Sequence, residues 1–247
     1  MWSFETDPEF QSELDWIRDF TRSEIEPLDE LLGSQWNIHD PLFVKRVRPL
    51  QEQVKRRGLW ACHLGPELGG KGYGQLKLAL MNEQFGRSRF GPITFGSQAP
   101  DTGNSEILAQ YGTEAQKERY LKPLLNNEIV SCFAMTEPQG GADPLKIETT
   151  AVLDGDEWVI NGEKWFSSNA KFAAFYIIML ETEPNANNPH RRQSMLIVPA
   201  ETPGIEIIRD YGYLGQKEPE HAHIRWNSVR VPKDHLLGGR GDGFAVA

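Results

Sequence analysis

Chemistry is most concentrated in Cys132-Phe133-Ala134-Met135-Thr136-Glu137-Pro138-Gln139-Gly140-Gly141-Ala142-Asp143. A short apolar run leads into Thr-Glu-Pro, then into two glycines and an aspartate. A strand ending in a glycine-rich loop gathers several backbone N–H groups in one place, and their concave arrangement receives anionic oxygens. Glycine pairs are also common in ordinary turns, so this segment alone specifies no ligand. A second segment follows, Trp158-Val159-Ile160-Asn161-Gly162-Glu163-Lys164-Trp165-Phe166-Ser167-Ser168-Asn169, rich in aromatic and hydroxyl side chains. Other chemistries find less support. His221 and His223 share one face of a predicted strand with Arg225, whose charge repels a cation, and no third ligand is evident, so no metal site is expected. Lys71 is followed by Gly72 rather than Ser or Thr, which excludes a P-loop, and no G-x-G-x-x-G fingerprint occurs. Cys62 and Cys132 are too few for a disulfide scaffold or a zinc site and are expected as buried, reduced thiols.

Two kinds of element must position these residues. Through about residue 125 the apolar period is helical. Phe10, Leu14, Ile17, Ile25, Leu28 and Leu32 follow steps of three and four, with one longer gap after Ile17. Phe43, Val47, Leu50 and Val54 repeat the pattern, with Pro49 predicting a kink or break and Gly58 a stop. A further helix is predicted over Leu76 to Phe85, and Thr113 with Gln116 forms a capping box that opens another. Asn104 is expected to cap a helix from Ser105 to Tyr111. From about Ser131 the period becomes two. Strands are predicted at 158–160, 164–167, 175–180, 194–198, 204–208 and 222–226, with Pro199, Pro203 and Pro232 near their edges. Asp154-Gly155 and Asn161-Gly162 both suit tight hairpin turns. The fold class read from this is α+β: an all-α domain over residues 1–128 followed by an antiparallel β-barrel-like domain over 129–238.

Thirty-five acidic against 26 basic residues give a net charge of −9, which argues against a broad basic face for nucleic acid or anionic membrane. A small anionic ligand stays compatible, because a few local donors hold a phosphate on an acidic protein. No apolar run is long enough to span a bilayer, and the acidic start Met1-Trp2-Ser3-Phe4-Glu5-Thr6-Asp7 is unlike a secretory signal, so a cytoplasmic location is expected.

Taken together, the two chemistry-bearing segments resemble the paired flavin motifs of the acyl-CoA dehydrogenase family: M-T-E-P-x-x-G-x-D, then I-N-G-x-K with an aromatic and a hydroxyl residue. The run Gly112 to Leu121 is similar to the family's G-T-x-x-Q-K-x-x-Y-L helix, and Val229-Arg230-Val231-Pro232 with Leu236-Leu237-Gly238 to the segment closing its β domain. Cys132 to Pro138, Ala99 to Asn104 and Arg191 to Met195 look closest to the family's large eukaryotic and actinobacterial branch.

The resemblance implies FAD lying along the β domain and α,β-dehydrogenation of an acyl-CoA thioester, as in fatty-acid β-oxidation. By that resemblance, backbone groups of Phe133 and Met135 meet the pyrimidine edge of the flavin, and the Thr136 hydroxyl lies near N5, where the hydride arrives. Gly141 and Ala142 approach the pyrophosphate, Phe166 walls one face of the ring, Ser168 bonds near the O4/N5 edge, and the Ser167 backbone lies between them. Gln98, Ala99, Pro100, Asp101 and Asn104 match the region bordering the acyl chain, and Ala142 the contact to the CoA portion. Many relatives carry Ser at the position of Ala142, a loss of one hydrogen bond worth about 0.5–1.5 kcal/mol. The usual Trp wall is here Phe166, beside Trp165, which reduces stacking area.

In the family a glutamate base and an arginine come from a second helical domain after the β domain. Residues 239–247 resemble its start, and no Glu in the sequence matches the base, so no catalytic residue is assigned and Glu137 is given a structural part. The expectations are that the chain alone holds FAD weakly or not at all and does not dehydrogenate. The implied partners are electron-transfer flavoprotein as acceptor and a C-terminal half or homologous subunit. A non-catalytic, partner-dependent subunit and a flavin-dependent monooxygenase or nitroalkane oxidase of the same fold are the alternatives.

Overall fold

The computed structural model describes residues 5–33, 37–68, 70–213 and 216–247. Packing divides the chain into two compact units, Met1–Thr102 and Gly103–Ala247.

The first unit is helical. Helices α1 (Pro8–Phe20) and α2 (Glu26–Leu32) are joined by a π-turn over Thr21–Ile25, in which the Glu26 N–H reaches back to the Thr21 carbonyl. Pro27 accounts for it: proline has no N–H to give and crowds the carbonyl four residues earlier, so the preceding turn widens. The long gap in the apolar pattern after Ile17 falls on this turn, with buried Thr21 filling it. Pro49 breaks the next predicted helix into α3 (Pro41–Arg46) and α4 (Arg48–Arg56), and Gly58, at φ +73°, leads the chain away. Then come α5 (Gly74–Phe85), α6 (Gly91–Thr94) and α7 (Asp101–Tyr111), the last running across the division. All ten apolar positions named for the first two predicted helices are buried, which is what a helical stripe facing one core requires.

In the second unit, α8 (Glu114–Gln116) opens with the predicted capping box, and a π-turn over Lys117–Leu121 again precedes a proline, Pro123, in α9 (Lys122–Leu125). The strands are β1 (Ser131–Ala134), β2 (Thr150–Asp154), β3 (Glu157–Ser168), β4 (Phe175–Glu181), β5 (Gln193–Pro199), β6 (Ile205–Tyr213), β7 (Gln216–Pro232) and β8 (Leu236–Leu237), followed by α10 (Gly243–Val246). Their order is β6-β7-β3-β2-β4-β5-β8, with β1 against β4. Strands β4 and β5 are covered on both faces, so they read as unbroken apolar runs instead of alternating ones. One face packs on Leu108, Tyr120, Leu121 and Leu124, and the other carries Tyr176, Ile178, Leu196, Ile224 and Trp226.

The α+β order is as expected, helices followed by a mostly antiparallel sheet; the sheet does not close on itself, so it is barrel-like only loosely. Within it β1 and the first residue of β2, Thr150, pair parallel with β4, which the long connections between those strands permit. Asp154-Gly155 does begin a hairpin, with Asp154 paired to Glu157 and Gly155 at φ +63°. Asn161-Gly162, in contrast, is not a turn. It lies inside β3, where the Asn161 side chain accepts from the Ser228 N–H at 2.9 Å and Gly162 makes room for Thr149. Among the described residues no helix is long and apolar enough to cross a membrane.

Candidate functional site

The two chemistry-bearing segments meet. Beyond β1 the chain runs alongside β3, and the Trp165 N–H donates to the Thr136 carbonyl at 3.0 Å. Lys164, wholly buried, reaches under this junction. Its ammonium donates to the Met135 carbonyl at 2.7 Å and to Glu137 Oε1 at 2.7 Å. Glu137, 2% exposed, also accepts from the Glu148 N–H at 2.7 Å, the Thr149 N–H at 3.0 Å and the Gln139 amide. A buried carboxylate with four donors is held in one geometry, and so is the Thr-Glu-Pro corner carrying it. Burial pulls the Lys164 ammonium down to about 8, against the attraction of Glu137. Burial acts to raise the Glu137 carboxyl, but Lys164 and the N–H donors outweigh it and hold the group below its ordinary range. Glu137 is thus tied to the corner that carries it.

Strand β3 carries an irregularity at this point. Lys164 pairs with Ile224 and Ser167 with Ala222, so three steps on β3 oppose two on β7. The extra residue is a β-bulge, with Phe166 in the left-handed region at φ +56°. On a regular strand adjacent side chains point to opposite faces. Here Trp165 and Phe166 lie ring on ring, with centroids 4.4 Å apart. Tyr211 of β6 meets Phe166 edge-on at 5.6 Å. Phe166 remains 41% exposed, with Trp165 stacked on its ring and Tyr211 edge-on to it.

Hydroxyl groups border that ring. Ser168 Oγ lies 2.8 Å from His221 Nδ1, directly across the β3–β7 ladder. Ser167 is buried with its Oγ unpartnered among the described residues. Thr136 is half-buried. His223 and Arg225 converge on Glu163, at 2.8 and 2.9 Å, so the predicted His-His-Arg face is bound up with a carboxylate and with Ser168.

In the glycine loop, a Cβ on Gly140 would stand 3.1 Å from Lys146 Cβ, whereas Gly141 has open space around it. Gly141 and Ala142 are exposed, and Asp143 accepts from the Leu145 N–H at 3.1 Å. Gly141 and Ala142 thus lie open to solvent, and exposed glycine-loop backbone of this kind can receive anionic oxygens. Phe133 and Met135 are half-buried and pack towards the helical face of the sheet.

All eight residues expected to hold cofactor thus lie in the second unit: Phe133, Met135, Thr136, Gly141, Ala142, Phe166, Ser167 and Ser168. Gln98, Ala99 and Asp101 belong to the first unit, where the Gln98 amide donates to Asp101 Oδ2 at 2.9 Å. Asn104 does not cap a helix. It is buried inside α7 and donates to Ser131 Oγ at 2.8 Å, because α7 starts earlier, at Asp101. Sequence reasoning missed the parts played by Lys164, His221 and Tyr211. Lys164 had a signal, a lysine in one motif and a glutamate in the other. His221 and Tyr211 had none, since their neighbours depend on strand pairing.

An exposed aromatic plate, hydroxyls at its border and an exposed glycine loop fit a flat, polar-edged ring bearing phosphates. The family model for the acyl-CoA dehydrogenase N-terminal domain matches residues 7–128, and that for the middle domain residues 132–229. Acyl-CoA dehydrogenase family member 11 of Gallus gallus is 36% identical over 245 residues, covering 94% of this chain and 31% of the relative. Family member 10 of Mus musculus is 41% identical over 211 residues, covering 81% of this chain and 20% of the relative. A solved structure from Mycobacterium abscessus that carries the same family name superposes with a TM-score of 0.86 at 35% identity, over 98% of this chain and 63% of the other. The chain thus spans under a third of these two curated relatives and under two thirds of the solved one. Members of the family typically bind FAD. On two matching domain models, sequence identity across nearly its full length and a shared fold, this chain belongs to the acyl-CoA dehydrogenase family.

Proposed function

We propose that this chain forms the FAD-holding face of an acyl-CoA dehydrogenase, with the base that takes the substrate's α proton supplied from outside these 247 residues. The observation that carries the reading is the meeting of the two motifs: Thr136 and Trp165 are hydrogen-bonded to each other beside the open Phe166 ring. Bound FAD supplies the hydride acceptor for the substrate's β carbon. The chain supplies position. Phe166 covers one ring face, Thr136 and Ser168 offer hydroxyls to its polar edge, Phe133 and Met135 offer backbone groups to its pyrimidine side, and Gly141 and Ala142 take the pyrophosphate. Gln98, Ala99 and Asp101 are assigned to the acyl chain. Glu137 does not serve as the base, because its carboxylate is committed to Lys164 and two backbone N–H groups.

The reading is tested with the purified chain, FAD and an acyl-CoA. Weak FAD binding is expected, reduced further in Phe166→Ala, with no bleaching of the flavin when acyl-CoA is added. Bleaching should appear once a separately produced C-terminal helical segment of a full-length relative is mixed in, with electrons passing to electron-transfer flavoprotein and not rapidly to oxygen. Bleaching by the chain alone would overturn the assignment of the base. FAD binding indifferent to Phe166→Ala would overturn the site.

A further inference from the structure

Ser168 and His221 are opposite one another on β3 and β7, and Tyr211 on β6 is the next partner of His221, so the three form a row across the sheet. Ser168 Oγ and His221 Nδ1 are 2.8 Å apart. The Tyr211 ring, in turn, rests against Phe166. The histidine is thus joined to the hydroxyl at the border of the candidate site and is adjacent, through Tyr211, to the aromatic plate.

A serine hydroxyl has one proton and two acceptor positions. If His221 carries its proton on Nδ1, the ring donates to Ser168 and leaves the serine proton to be given to a ligand. If the proton is on Nε2, Ser168 donates to Nδ1 and only its lone pairs face the ligand. Burial lowers the His221 pKa, so the neutral ring, with one N–H and one bare nitrogen, is the form that makes this choice.

We infer that His221 is a positioning residue that sets the direction and polarity of the Ser168 hydroxyl towards the edge of a bound flavin. The inference rests on the FAD reading above. It adds a residue that the flavin motifs do not contain, brought in by pairing with β7. Were flavin N5 to lie beside Ser168, it would accept a hydrogen bond in the oxidised form and donate one in the two-electron-reduced form. The Ser168–His221 pair would satisfy both by a change of imidazole tautomer, with no net gain or loss of protons. A hydroxyl without such a partner would offer either polarity, at the cost of an unfixed rotor.

The test uses the full chain labelled with 15N-histidine, with FAD as the probe. In the FAD-free chain, long-range 1H–15N spectra should show His221 in one neutral tautomer, with its Nδ1 signal displaced in Ser168→Ala. With oxidised FAD the proton should reside on Nδ1, and after dithionite reduction of the bound flavin on Nε2. Ser168→Ala and His221→Phe should each weaken FAD binding about 3- to 10-fold, and the double variant no further than the weaker single one. His221→Asn, whose amide can either donate or accept near the Nδ1 position, should stay within about twofold of the wild type. A His221 spectrum unaffected by Ser168→Ala overturns the inference, as do additive losses in the double variant or a His221→Asn as weak as His221→Phe. A wild-type chain that takes no FAD even with the C-terminal helical segment of a relative added overturns the cofactor reading instead, and the FAD-free spectra then decide the Ser168–His221 claim.

Discussion

Among single residues, Lys164 has the largest leverage on the site without facing it. Its ammonium joins Met135 to Glu137 under the loop that carries Thr136. Replacing it with an apolar side chain strands a buried carboxylate, so Lys164→Met should cost about 3–5 kcal/mol. Removing both charges in Glu137→Gln/Lys164→Met should cost less than the sum of the two singles, because the desolvation of each ion disappears with it. Urea unfolding of the four proteins checks this, and additive losses would show that the pair is not a unit. Acid should expose the same link. The folded-state pKa of Glu137 is depressed below 4.5, so the stability it contributes is fully present above about pH 4.5 and is lost as the pH falls through the lower folded value. Melting temperatures from pH 6 to pH 3 should fall more steeply for the wild type than for Glu137→Gln, and parallel curves would refute the assignment. At this scale the sequence was informative about which segments belong together, since those carrying Thr136 and Phe166 do meet. It was silent for His221, whose relation to Ser168 exists only once β7 lies beside β3.

At the scale of elements, β3 shows how tertiary pairing overrides local propensity. Asn-Gly is strong turn chemistry, and nothing local distinguishes Asn161-Gly162 from the true turn at Asp154-Gly155. The difference lies in what each glycine meets. A Cβ at Gly162, which sits at φ +147°, would come within 2.4 Å of Thr149 Oγ1 and 2.7 Å of Thr149 Cα. At Gly155, with φ +63°, a Cβ would meet nothing within 4 Å. Gly155→Ala should therefore cost only the left-handed backbone penalty, about 1–2 kcal/mol. Gly162→Ala should cost about 3 kcal/mol or more, since backbone must move as well. Chemical denaturation midpoints compare the two, and equal losses would mean that the close approach to Thr149 does not constrain β3. The bulge at Phe166 was equally hidden, because an extra residue is defined only relative to the opposing strand. The helices were easier to read: Pro49, Gly58 and the Thr113–Gln116 box act within a turn or two of chain, and the structure shows each of them.

For the whole molecule, the change of apolar period from helical to alternating near residue 128 made the order of the two architectures legible, since burial on one helix stripe or one sheet face leaves its mark in every turn and strand. The openness of the sheet and the parallel pairing of β1 with β4 left no such mark, because they are set by contacts between distant segments. Packing adds a division that composition does not show, gathering α8, α9 and most of α7 with the sheet. That division makes the cofactor proposal testable at large scale. All eight residues assigned to FAD lie in the second unit, so ligand should stabilise that unit first, by about 2.7 kcal/mol when FAD is present at 100 times its Kd. Amide hydrogen exchange with and without FAD should then slow across 131–143 and 163–169, where the two motifs meet, and stay unchanged across 8–32 in α1 and α2. Slowing spread evenly over both units would mean that FAD acts on the chain by general compaction, and the meeting of Thr136 with Trp165 would no longer explain where it binds.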